Sequence, residues 1–224
     1  MSLPPLYVLL DVPTAERAGH DVRALAARIL DAGASLVQLR DKRSDFDTFR
    51  RDASALAKIF EAYPEAHLLL NTHWELAAEL GVGAHLTSTQ LGSVCGVRAS
   101  IAPAGLVGAS THDAAEYALA EQGADFVTVS PVFATASKPG YGPVLGLQGL
   151  GEACRASSIP VFALAGVTPS RAASCQEAGA HGVAVMGGVA GAEDPVRAVC
   201  AYVEVLTPPS RSSRGCGAGR RPCP

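Results

Sequence analysis

A recurring joint between helix and strand is the feature that most limits how this chain can fold. The segments DAGASLVQL (31–39), EQGADFVTV (121–129) and EAGAHGVAV (177–185) each end a helical stretch with a glycine and continue through a small residue into an apolar strand. Glycine is favoured just after a helix ends, and continuous apolar strands are typical of parallel sheets covered by helices. The chain is therefore predicted to reuse one supersecondary unit.

Eight short apolar runs are predicted as strands, and most of them alternate with stretches of helical periodicity. The runs span residues 6–10, 35–39, 66–70, 83–86, 105–109, 124–129, 160–164 and 181–185. Eight such units in about 205 residues fit a compact TIM barrel, so the predicted fold is α/β, a single (β/α)8 barrel. An open doubly wound sheet is the alternative, but DVPTAERAG after the first strand lacks a glycine fingerprint.

Composition supports one barrel domain over residues 1–206, because 48% of residues are hydrophobic and only 17% are charged. Residues 207–224 are rich in Pro, Gly, Ser and Arg, which predicts a flexible tail. The formal charge of −3 gives no indication of a nucleic-acid surface, and the N-terminus resembles neither a signal peptide nor a membrane span. We therefore expect a cytoplasmic protein without nucleic-acid or membrane partners, and homo-oligomer formation is left open.

Polar residues gather where the predicted strands end. Gln38, Arg40 and Lys42 follow one another at a spacing of two, so they share one face of the second strand as it leaves the core. Other strands are followed by Asn71, His85, Ser110 and His112. Because the active site of a TIM barrel lies at the carboxyl ends of its strands, this distribution predicts a pocket there for an anionic ligand.

Glycine-rich loops follow the last two predicted strands. Gly166 lies in ALAGVTPS, and Gly187 and Gly188 lie in MGGVAG. Loops at these two places form the usual phosphate site of a TIM barrel, since small residues let backbone N–H groups approach the oxygens. The loop after the sixth strand, residues 130–146, is the longest and carries Thr135 and Lys138, so it is predicted to act as a lid. A small-molecule phosphate is the expected ligand.

Four stretches carry a resemblance to a known family: VQLRDK, GADFVTVSPVFATASK, IPVFALAGVTPS and AGAHGVAVMGGV. Together they resemble the thiamine phosphate synthase family and its TenI-type relatives, the thiazole tautomerases. The resemblance implies a TIM barrel that binds thiazole phosphate in thiamine biosynthesis. It implies that the pyrimidine diphosphate and the closing lid are contacted through Gln38, Arg40, Lys42, Asn71, Ser110, Thr135 and Lys138. It also implies that the thiazole phosphate is bound by Gly166, Gly187 and Gly188.

The chain departs from both branches of the family. In the synthase branch, magnesium is held by two aspartates, and here those positions are occupied by Thr72 and Gln90, so no metal site is predicted. In the TenI-type branch a histidine moves the proton, and here its position is Pro131. The remaining candidates for catalytic groups are His112, His85, Ser110 and Lys138, because a histidine near neutral pKa suits proton transfer.

These departures leave several functions open. A metal-independent thiazole tautomerase is slightly favoured, because that branch works without magnesium. The alternatives are a magnesium-dependent thiamine phosphate synthase, a protein that binds thiazole phosphate or thiamine phosphate without catalysis, and a barrel that binds an unrelated phosphate. An enzyme is expected, and no cofactor is expected unless the synthase alternative, with magnesium, holds.

Overall fold

The computed structural model describes residues 3–135 and 143–206. Its eight strands are all parallel and form a closed barrel in chain order, so the prediction of a (β/α)8 barrel is confirmed. The strands are β1 (Leu6–Asp11), β2 (Leu36–Arg40), β3 (His67–Asn71), β4 (Gly83–Leu86), β5 (Val107–Thr111), β6 (Phe126–Val129), β7 (Val161–Leu164) and β8 (Gly182–Val185). Each of the eight predicted strands is present, with ends within about two residues of those predicted.

Helices connect the strands on the outside of the barrel. They are α1 (Val12–Arg17), α2 (Val22–Asp31), α3 (Phe46–Phe60), α4 (Trp74–Leu80), α5 (Val94–Ser100), α6 (Ala114–Ala120), α7 (Gly146–Ala156), α8 (Pro169–Glu177), α9 (Gly187–Ala190) and α10 (Pro195–Val205), with a 3-10 helix at Ser88–Ser93. No helix in the described part of the chain is long and apolar enough to cross a membrane.

Aspartates begin several of these helices. The side chains of Asp21, Asp45, Asp113 and Asp194 accept hydrogen bonds from backbone N–H groups in the first turns of α2, α3, α6 and α10. Such caps satisfy N–H groups that have no partner within the helix, and each contributes about 1 kcal/mol to stability. The helix starts are therefore encoded locally, before any packing against the barrel.

Four short helical segments were not predicted from the sequence. They are α1, the 3-10 helix, α5 and α9. The 3-10 helix and α5 contain Gly92 and Gly96, and glycine lowers helix propensity by about 1 kcal/mol relative to alanine. Packing against the barrel, where Val94 and Val97 are buried, supplies the stability that local propensity lacks.

Aromatic side chains fill the interior of the barrel beneath its carboxyl end. Tyr7, Phe126 and Phe162 are fully buried, and the ring of Tyr7 meets that of Phe126 edge-on, with centroids 5.2 Å apart. Gly108 makes room for this layer, because a Cβ there would lie 2.5 Å from Phe126 Cζ and 2.6 Å from His85 Nδ1. The filled interior forms the floor of any site at the open end.

Two predictions concern segments outside the described residues. The flexible tail was predicted at 207–224, and the lid residue Lys138 lies in 136–142. Both remain predictions. The described elements run from β1 to α10, within the predicted barrel domain.

Candidate functional site

A cavity of about 820 Å³ opens at the carboxyl ends of the strands. Residues predicted from seven different strand ends line it together: Gln38, Arg40, Lys42, Asn71, His85, Ser110, His112, Thr135, Gly166, Gly187 and Gly188. Lys138 is the one predicted site residue that lies outside the described part of the chain. Residues that are far apart in sequence therefore converge on one mouth, as expected for this fold.

Arg40 is held in place by the end of the neighbouring strand. It pairs with Asp11 in register across β1 and β2, and their side chains form an ion pair that is only 18% and 5% exposed, respectively. Asp11 also accepts hydrogen bonds from the backbone N–H of Thr14, at 3.2 Å, and from its hydroxyl, at 2.6 Å. The carboxylate thus begins α1 and orients the guanidinium, which remains at the wall of the cavity.

A line of hydrogen bonds crosses the barrel interior at the floor of the cavity. Gln38 Nε2 donates to the Tyr7 hydroxyl at 2.6 Å, and that hydroxyl lies 3.1 Å from His85 Nδ1. His85 Nε2 lies 3.0 Å from Ser110 Oγ. Because the Tyr7 hydroxyl accepts from the Gln38 amide nitrogen, which can only donate, its own proton is directed to His85 Nδ1. His85 therefore carries its proton on Nε2 and donates it to Ser110.

Burial fixes the charge state of this line. His85 is 3% exposed, and desolvation lowers the pKa of its imidazole to about 3. Desolvation also raises the pKa of the Tyr7 phenol far above its usual value. Both groups are uncharged at neutral pH, so the serine hydroxyl accepts from a neutral imidazole and keeps its own proton for a partner in the cavity.

The loops after β6 and β7 are joined beside Gly166. This residue has φ +64°, and a Cβ there would lie 2.4 Å from the Ala134 carbonyl oxygen. Glycine is therefore favoured both by the left-handed backbone conformation and by the lack of room for a side chain. The guanidinium of Arg171 lies over the Phe133 ring, 4.6 Å from its centroid, and donates to the Gly166 carbonyl at 2.8 Å. A cation is thereby fixed at the rim of the predicted phosphate site.

The loop after β8 is equally crowded. A Cβ on Gly188 would lie 2.9 Å from the Tyr202 hydroxyl, which donates to the Val167 carbonyl at 2.8 Å. Gly187 and Gly188 begin α9, and the first N–H groups of a helix have no acceptor within it. Small residues thus leave backbone N–H groups close to the cavity on this side.

A hydrogen bond joins the loops that carry Thr72 and Gln90, so these two residues do not face each other across an open site. Gln90 Nε2 donates to the Thr72 carbonyl at 3.0 Å, and Gln90 Oε1 accepts from the N–H and the hydroxyl of Thr87, both at 3.1 Å. Thr72 Oγ1 accepts from Asn71 at 2.8 Å. Thr72 also has φ +73°, a region that β-branched residues rarely occupy. The amide of Gln90 joins the loops after β3 and β4.

The second candidate histidine lies at the outer edge of the site. His112 is exposed, and its Nδ1 lies 2.9 Å from Glu116 Oε2 in the first turn of α6. The same carboxylate oxygen accepts the His112 backbone N–H at 2.6 Å. These contacts tie His112 to α6, the helix that follows it.

Several residues of the cavity were not predicted from the sequence. Asp11, Arg17, Thr128 and Arg171 line it, and Tyr7 supports it from below. Asp11 ends its strand in the manner of Gln38 and Arg40, so its position was a usable signal. Tyr7 stands inside an apolar strand, and nothing in the sequence marks its hydroxyl as part of a polar line.

Comparison with known proteins identifies the family. The family model described as thiamine monophosphate synthase matches residues 7–189. The chain belongs to the thiamine monophosphate synthase family. The match includes residues of all eight strands and both glycine loops, so it covers every lining residue of the cavity except Tyr202.

Relatives within the thiamine monophosphate synthase family cover nearly the full barrel. The chain is 34% identical over 205 residues to a thiamine-phosphate synthase of Salinibacter ruber, covering 90% of this chain and 88% of the relative. It is 38% identical over 192 residues to one of Methanoculleus marisnigri, with 84% and 89% covered. A solved thiamine phosphate pyrophosphorylase from Pyrococcus furiosus superposes with a TM-score of 0.75 at 26% identity, with 89% and 94% covered.

Proposed function

We propose that this protein is a thiamine-phosphate synthase, which joins a pyrimidine methyl diphosphate to a thiazole phosphate. The observation that carries the proposal is the mouth itself, where Arg17, Arg40, Lys42 and Arg171 stand beside the glycine loops after β7 and β8. Such a site suits two phosphorylated molecules held side by side. The names of the relatives support this particular reaction.

The proposed reaction exchanges one bond for another. The bond between the pyrimidine methylene carbon and the diphosphate oxygen breaks, and its electron pair leaves with the diphosphate. The lone pair of the thiazole nitrogen then forms the new carbon–nitrogen bond, which leaves a positive charge on the thiazolium ring. No proton has to move, so the reaction needs cations for the leaving group and correct orientation of the two rings.

The described residues suit a division of these tasks. Neutral hydrogen-bonding groups line the inner part of the cavity, namely Gln38, Asn71 and Ser110, and they suit an uncharged pyrimidine. Arg40 and Lys42, which line the cavity, are assigned to the leaving diphosphate. The thiazole phosphate is assigned to the backbone around Gly166, Gly187 and Gly188, and Thr135 is assigned to the loop that covers the substrates. Lys138 belongs to the same assignment, although it lies outside the described residues.

Thiazole tautomerisation, which the sequence slightly favoured, is set aside as the main proposal. That reaction moves a proton and therefore needs a base near neutral pKa. His85 has both ring nitrogens within hydrogen-bond distance of Tyr7 and Ser110, and its pKa is lowered to about 3 by burial. His112 is held by Glu116 at the outer edge. The curated relatives reported above are named synthases, which favours the transferase.

The test is formation of thiamine phosphate by the purified full chain from the two substrates. Oxidation of the product to a fluorescent thiochrome gives the readout. Lys42→Ala is expected to lower kcat/KM at least tenfold, since Lys42 lines the cavity. Arg43→Ala is the matched control and is expected to leave kcat/KM unchanged, because the neighbouring Arg43 pairs with Glu16 away from the cavity.

Two outcomes would contradict the proposal. Interconversion of thiazole carboxylate phosphate isomers without thiamine phosphate formation would show a tautomerase. Tight binding of thiazole phosphate without either reaction would show a binding protein.

A further inference from the structure

The positions that hold magnesium in the synthase resemblance do not fit a divalent cation in this chain. Magnesium is bound through one or two carboxylates together with phosphate oxygens. Thr72 and Gln90 offer only uncharged oxygens. Gln90 uses its amide nitrogen on the Thr72 carbonyl at 3.0 Å and its amide oxygen on Thr87 at 3.1 Å. The donor set is therefore occupied by contacts between the loops.

The cavity has one carboxylate among its described lining residues, and that carboxylate is already neutralised. Asp11 pairs with Arg40 and accepts two hydrogen bonds from Thr14. The segments outside the described residues, 1–2, 136–142 and 207–224, contain no Asp or Glu in their sequence. No group of three or more His, Cys, Asp or Glu suited to a metal is present within residues 3–135 and 143–206.

Cations line the cavity where the chain leaves β1, β2 and β7, although the chain as a whole carries a formal charge of −3. They are Arg17, Arg40, Lys42 and Arg171, and Asp11 offsets one of these four positive charges. Arg40 pairs with Asp11, Arg171 donates to the Gly166 carbonyl, and Arg17 donates to the Thr14 hydroxyl at 3.1 Å. A divalent cation entering this mouth would meet repulsion, whereas a diphosphate would meet several donors at once.

We propose that this site binds a diphosphate group as the metal-free anion, neutralised by side-chain cations rather than by a divalent cation held on the protein. The inference rests on the proposed function for the identity of the substrate, but the binding it describes is independent of turnover. Guanidinium and ammonium groups form charge-assisted hydrogen bonds to phosphate oxygens, which is the contact that the four cations offer.

Titration calorimetry of inorganic pyrophosphate into the full chain tests this inference. We expect binding in the presence of chelator. We expect affinity to fall roughly tenfold when excess magnesium is added, because magnesium cancels part of the negative charge that the side-chain cations contact. Binding only when magnesium is present, or no binding in either condition, would overturn the inference. Metal-free binding without any thiamine phosphate formation would support it and refute the proposed function instead.

In a variant that carries acids at the two loop positions, magnesium is expected to have the opposite effect on pyrophosphate affinity. Thr72→Asp with Gln90→Asp places two carboxylates at the loop positions, and magnesium is then expected to raise pyrophosphate affinity. Thr89→Asp is the matched control, because this exposed neighbour adds an acid at a position where the resemblance implies no magnesium ligand. It is expected to keep the wild-type dependence on magnesium. If the double variant does not fold, the comparison of wild type with and without magnesium decides by itself.

Discussion

Replacing His85 by glutamine should remove a specific part of the pH dependence of stability. The imidazole is 3% exposed, and desolvation lowers its pKa from 6.5 to about 3. Glutamine is neutral at every pH, and its amide can accept from Tyr7 and donate to Ser110 as the imidazole does. The variant therefore preserves the hydrogen-bond pattern and deletes only the titration.

The sign follows from proton binding in the two states. Between pH 6.5 and pH 3 the unfolded chain protonates His85 and the folded protein does not, so stability rises with pH across this window and is lost as pH falls. One pKa unit corresponds to 1.36 kcal/mol. Lowering the pH from 7 to 5 should therefore cost the wild type about 2 kcal/mol through His85 alone.

Urea denaturation of wild type and His85→Gln at both pH values measures this term. The other titrating groups are common to the two proteins, so the difference in their unfolding free energies isolates His85. We predict that the wild type loses about 2 kcal/mol relative to the variant between pH 7 and pH 5. If the difference in unfolding free energy between the two proteins does not change with pH, the buried imidazole does not stay neutral. The assignment of His85 as the donor to Ser110 would then be unsupported.

Three further substitutions test the geometry of the site. Thr72→Asn should raise the unfolding free energy by about 1 kcal/mol, because asparagine tolerates φ +73° better than a β-branched residue does. An unchanged denaturation midpoint would show that the backbone at this position is not strained. Gly166→Ala should lower stability by more than about 1 kcal/mol and weaken phosphate binding in calorimetry, since its Cβ would lie 2.4 Å from a carbonyl oxygen. Gly96→Ala, in the open middle of α5, is its control and should stabilise the protein. Tyr7→Phe should lower the unfolding free energy by about 2–4 kcal/mol, because the amide of Gln38 and the buried imidazole both lose a partner. Nitrogen NMR should also show that His85 no longer holds a single tautomer, and a fixed tautomer would contradict the hydrogen-bond directions assigned from Tyr7 to His85.

The strand order and the cavity could be predicted from the sequence because both depend on local patterns. Apolar runs mark the strands, and polar residues at their ends, such as Gln38 and Asn71, mark the mouth. Tyr7 could not be found in this way, because its hydroxyl matters only through contacts with Gln38 and His85, which come from other strands.

The role of Thr72 and Gln90 also depends on contacts between residues that are far apart in the sequence. Their residue types showed that the expected acids are missing, but nothing in the sequence showed that the amide of Gln90 joins two loops. Arg171 is a similar case, since its place at the cavity depends on the ring of Phe133 in a separate loop. Contacts of this kind arise from closure of the barrel rather than from local propensity.

The most direct test of the central claim is the rate of thiamine phosphate formation by the full chain, measured from both substrates in chelator and in magnesium. We predict product in both conditions, with no interconversion of thiazole carboxylate phosphate isomers. The absence of thiamine phosphate in both conditions, with the protein folded and both substrates present, would contradict the proposed synthase.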